Sequence, residues 1–206
     1  MNAIRASARH SRAIHATAEL LGKLRIESIF VGSVARAAWL GDPIESGSID
    51  VLALMNAPQK NQLATMASHR GYRVEREEIE QSEQLDLVPL NFIDQEGEVR
   101  VHVLLASNAL YGRMVSGGEL AVCSSQSAEA KPDAAASSPA SRDLRSAISL
   151  RVARAEDLAL MLLMAEDHEA VRRLTELPEL DRAAFEERLV AIGLRSQVPS
   201  AQVARS

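Results

Sequence analysis

Two short stretches, "GSVAR" at Gly32–Arg36 and "SID" at Ser48–Asp50, hold the residue types that phosphate chemistry uses. A Gly-Ser pair that leaves a strand and opens a helix presents unpaired amides and the positive end of the helix dipole. Gly32 then allows close backbone approach, and Ser33 adds a hydroxyl donor. The same pair serves equally as an ordinary structural turn. Arg36 follows one helical turn later. Ser48 and Asp50 stand at i and i+2 of the apolar segment "SIDVLALM", so strand alternation puts both side chains on one face. Ile49 and Val51 then face the core. Ser48 and Asp50 then face the pocket at the end of the Gly-Ser helix, which is an active-site layout.

These residues need strands and helices to hold them. The spacing of Ile14, Ala18, Leu21 and Leu24 predicts an amphipathic helix over Ser11–Arg25. "IESIFVG" predicts a strand ending at Gly32, and "SVARAAWLG" a helix stopped by Gly41 and Pro43. The next strand is Ser48–Met55. A helix over about Gln59–Arg70 follows, then extended segments from Tyr72, Leu85 and Glu98, and a short helix "NALYGRMVS". Residues 1–122 form the first block. Residues 123–146 are rich in Ser, Ala and Pro and bury too little to offset their ordering entropy, so they read as a disordered linker. Residues 147–194 read as helical, with the last helix begun by Asp181, and 195–206 as a frayed tail. The expected fold is α/β (α+β): a small mixed sheet flanked by helices, with C-terminal helices.

Composition narrows the function. The net charge is −5, from 23 Lys and Arg against 28 Asp and Glu, which opposes an extended DNA-binding face. Aromatics are only 3% of residues, too few for a base-stacking platform. The longest apolar helical run, "LALMLLMA", falls short of the ~18 residues of a membrane span. The single cysteine, Cys123, can form no internal disulfide, which fits a reducing, cytoplasmic setting. His10, His15, His69 and His168 lack metal-ligand spacing and read as solvated or helix-surface residues.

The order Gly-Ser, Ala-Arg helix and acid-bearing strand resembles the minimal nucleotidyltransferase superfamily, the DNA polymerase-beta-like fold, and within it AbiEii-type bacterial nucleotidyltransferases. "GSVAR" and "GSIDVLAL" carry the resemblance, with "EDL" at Glu156–Leu158 like the start of the family's C-terminal helices, which the resemblance implies line the pocket. The resemblance implies transfer of a nucleotidyl group from an NTP, with Mg2+, onto an RNA or protein acceptor. Gly32, Ser33, Arg36 and Ser48 would contact the nucleotide, and Asp50 would bind metal.

The departures from that pattern concern the acids. Ser48 stands where the first metal-binding Asp belongs, and the third falls on His102 of "VRVHVLL". His102 also reads as a polar residue on a half-exposed face alternating with Val101 and Val103. Asp86, Glu96 and Glu98 are the acids that could compensate. One carboxylate of three predicts weakened or lost two-metal transfer. The alternative is a non-catalytic NTP- or RNA-binding module, or an interaction partner of toxin–antitoxin type.

Overall fold

The computed structural model describes residues 2–44, 47–74, 86–125 and 147–193. Contacts divide the chain into two compact units, Met1–Ala153 and Arg154–Ser206.

In the first unit, the Ser7 hydroxyl accepts the His10 amide and so caps α1 (Ala8–Lys23), whose buried side carries Ala13, Ile14, Thr17, Leu20 and Leu21. This helix packs over the sheet, with strand β2 (Glu27–Phe30) following it. Helix α2 (Gly32–Leu40) starts at the Gly-Ser pair and stops at Gly41, whose φ of 71° is the left-handed conformation that glycine adopts without penalty. Strand β3 (Ile49–Leu54) follows, then α3 (Ala57–Ser68), where Asn56 and Gln59 form a reciprocal capping box. Short β4 (Tyr72–Arg73), β5 (Leu87–Asp94), β6 (Gly97–Leu105), α4 (Ala109–Gly117), β7 (Glu119–Ser125) and β8 (Ile148–Val152) complete the unit.

One mixed sheet results, in the order β1-β7-β8-β2-β3-β6-β5-β4, where β1 is Asn2–Ala6. The pairing that matters most is β3 beside β6 in parallel, with Asp50 opposite His102 and Val51 opposite Val103. Along β6, Val99, Val101 and Val103 are buried while Glu98 and Arg100 are exposed, so the strand offers an apolar and a polar face. The α+β fold class expected from the sequence is the one observed. No helix among the described residues is long and apolar enough to cross a membrane.

Three expectations change. Strand β1 lies ahead of the first helix: Ile4 and Ala6 face inward and pair alongside β7, although their neighbours are Ala and Arg. The start of the supposed linker is ordered, because Cys123 is a buried strand residue opposite Ile148. Small side chains fill that strand's inner face, so its low apolar content concealed it. The segment after 146 opens with β8, and helices begin only at Ala155. Residues 126–146 and 195–206 lie outside the described residues.

The second unit is helical: α5 (Ala155–Met164), α6 (His168–Thr175) and α7 (Arg182–Ala191), the last two capped by Asp167 and Asp181. Nearly all of α5 is buried, including Glu156 and Asp157. Asp157 accepts Arg188 Nε at 2.9 Å, and Glu156 accepts the Asp181 amide at 2.7 Å. These two acids therefore bind α7 to α5.

Candidate functional site

The chain leaves β2 at Phe30 and turns directly into α2. Two hydrogen bonds fix that corner against β3 and the residue before it: the Val31 amide donates to the Asp50 carbonyl at 2.9 Å, and the Ser33 hydroxyl donates to the Ser48 carbonyl at 2.9 Å. From the other end of α2, the Trp39 indole donates to the Ala153 carbonyl at 2.8 Å. Gly32 has φ of 53°, and a Cβ built there would lie 2.6 Å from Asp50 Oδ2. Only glycine fits, on both counts.

Asp50 is the hub. Its Oδ1 accepts the Ser48 hydroxyl at 3.0 Å and lies 2.9 Å from His102 Nδ1, while Oδ2 faces Gly32 at the start of α2. The helix dipole favours a carboxylate at that position. Side-chain exposure of 26% for Asp50 and 30% for His102 leaves the pair accessible yet fixed. The expected shared face of Ser48 and Asp50 is thus observed, and the parallel register adds His102 to it.

Other expected participants are placed differently. Arg36 reaches Asp42, with Nη2 to Oδ2 at 3.1 Å, so its charge is engaged within the loop after α2. Asp86 is exposed, and its carbonyl accepts the Leu105 amide, whereas His102 is opposite Pro89. Three residues along a strand is ~10 Å, and Asp86 is a further strand away from β3, so it is not beside Asp50. Glu96 pairs with Arg12, and Glu98 with Arg73. None of the three acids that could have compensated joins the site.

Two residues had no visible signal of their role. His10 is buried, not solvated: its Nδ1 is 2.8 Å from the Ser7 hydroxyl and its Nε2 is 3.3 Å from the Gly47 carbonyl. It ties α1 to the residue just before Ser48, and its burial lowers its pKa below the ordinary 6.5. Ser7 is a local partner, but the Gly47 contact spans 37 positions, so local spacing could not reveal it. Asn91 is the second, two residues past Pro89 on the His102 face of β5. It is 3% exposed, and its Oδ1 accepts no hydrogen bond among the described residues. His15 is half-buried, whereas His69 and His168 are exposed as expected.

The donors gathered here are one carboxylate, one hydroxyl and one imidazole. Mg2+ demands oxygen ligands in near-octahedral geometry, and a bridged pair needs several carboxylates. Among the described residues no group of three or more His, Cys, Asp or Glu is placed to share an ion. These residues do not fit a Mg2+ pair. No family model matches the sequence, and no curated protein matches it either.

Proposed function

We propose that this chain is a nucleotidyltransferase-like protein that binds a nucleoside triphosphate at the Gly32–Ser33 start of α2 and has lost Mg2+-dependent transfer to RNA or protein acceptors. One observation carries the reading: Asp50 and His102 are opposite each other on parallel strands, and Ser48 shares Asp50 Oδ1. In the resembled pattern those three positions hold carboxylates, so the frame is kept while its charge is reduced to one formal negative. The strand-to-helix corner at Gly32 supplies amides for phosphate.

Asp50 lies at that same corner, so a phosphate meets one fixed negative charge there. Affinity is therefore expected to be modest and to fall with salt. Calorimetry with ATP and GTP, with and without Mg2+, tests the binding, and radiolabel transfer from α-labelled NTP tests the chemistry. Weak binding with little Mg2+ dependence and no transfer is expected. Robust Mg2+-dependent transfer abolished by Asp50→Asn would defeat the loss of activity, and absence of NTP binding would defeat the nucleotide assignment.

A further inference from the structure

We propose that His102 and Asp50 form a metal-independent proton-transfer dyad, with His102 as general base and Asp50 as its positioning residue, activating water against the α-phosphorus of a nucleoside triphosphate. The substrate class rests on the nucleotide reading above.

The tautomer follows from hydrogen-bond bookkeeping. Ser48 donates to Asp50 Oδ1, and an ionised carboxylate only accepts, so His102 Nδ1 must donate across its 2.9 Å contact. A neutral imidazole protonated on Nδ1 carries its lone pair on Nε2. That nitrogen has no hydrogen bond among the described residues, and the side chain is 30% exposed. Asp50 in turn is restrained on every side: Ser48 and His102 hold Oδ1, Gly32 abuts Oδ2, and the Val31 amide holds the backbone carbonyl. A carboxylate that orients an imidazole and stabilises its protonated form, with the outer nitrogen open, is the arrangement that activates nucleophiles in hydrolases.

The step balances without a metal or redox partner. As the water oxygen bonds to Pα, its proton passes to Nε2. The bond from Pα to the bridging oxygen breaks, and its electron pair leaves with pyrophosphate. Asp50 then faces an imidazolium, which returns its proton to pyrophosphate or solvent. The products are nucleoside monophosphate and pyrophosphate.

The full-length chain with ATP in excess EDTA provides the test, with AMP and pyrophosphate measured together and ATP binding followed in parallel. Slow, EDTA-insensitive AMP release is expected, reduced about 100-fold or more by His102→Gln and by Asp50→Asn, as for loss of a general base. Asp50→Asn conserves volume and serves if His102→Gln does not fold. Nitrogen-15 spectra of His102 should show the Nδ1–H form in the natural protein and a shift toward Nε2–H in Asp50→Asn. An Nε2–H form in the natural protein, turnover that survives His102→Gln, or turnover abolished by EDTA would each overturn the dyad. ATP binding without hydrolysis overturns the dyad alone, and no ATP binding overturns the nucleotide reading with it.

Discussion

Asp50 Oδ2 lies so close to Gly32 that a Cβ at residue 32 would fall 2.6 Å from it. The glycine is there for the carboxylate as well as for the turn. A side chain at this corner would block a phosphate and would also strain the fold. A non-glycine residue at φ of 53° costs ~1–2 kcal/mol, and overpacking adds ~1–3 kcal/mol. Gly32→Ala is therefore expected to lower unfolding free energy by about 2–5 kcal/mol in urea titration. In an Asp50→Ala background the same change should cost only the backbone part. Equal losses in both backgrounds would show that the carboxylate contact is not the cause.

How much of this could be read from the chain depends on how local each cause is. Ser48 and Asp50 on one face, and a Gly-Ser strand exit into a helix stopped at Gly41, follow from alternation and glycine chemistry within a few residues. The Asp50–His102 pair spans 52 positions, and only the parallel register of β3 and β6 makes it. The family resemblance pointed to residue 102, and periodicity could not. Strands β1 and β7 were hidden because Ala, Arg, Ser and Cys fill them, residues whose own propensities say little about strand formation. Arg36 was legible as a cation one turn past the glycine, but its engagement by Asp42 depends on how the loop closes.

Removing Arg188 should destabilise the helical unit. Its guanidinium meets the buried Asp157 at 2.9 Å, and Glu156 Oε2 lies 3.9 Å away. Breaking a buried pair from one side leaves a charge in a low-dielectric setting. Because Arg188 itself is partly exposed, Arg188→Ala is expected to cost about 2–4 kcal/mol, at or somewhat below the usual range for such losses. Asp157→Asn combined with Arg188→Met should recover much of that loss in thermal unfolding. A single substitution without effect would mean the pair carries no net stability.

Acid should loosen the corner that holds Ser48. Burial depresses the His10 pKa below 6.5, so the unfolded chain binds the additional proton first as pH falls. Stability from this group is complete above pH 6.5 and declines as pH drops from there toward the lowered folded value. His15 is shifted the same way by burial and adds to the slope. Unfolding free energies across that window should rise with pH, and His10→Gln should flatten the dependence. An unchanged slope in the variant would place the linkage elsewhere.

Restoring the acids tests whether the frame is the one it resembles. Residues 48 and 50 share a face, and residue 102 is opposite 50, so Ser48→Asp with His102→Asp would place three carboxylates around one point. Without a cation, three like charges at this spacing repel, and the doubly substituted protein should melt below the natural one. Divalent ions should reverse that loss, since a ligand that binds only the folded state stabilises it by mass action. Thermal melts with and without Mg2+, together with calorimetric titration, should therefore show Mg2+ binding and a rise in melting temperature for the doubly substituted chain only. Failure to bind Mg2+ in a folded variant would mean that the Ser48–Asp50–His102 cluster does not reproduce a two-metal site even with its charges restored.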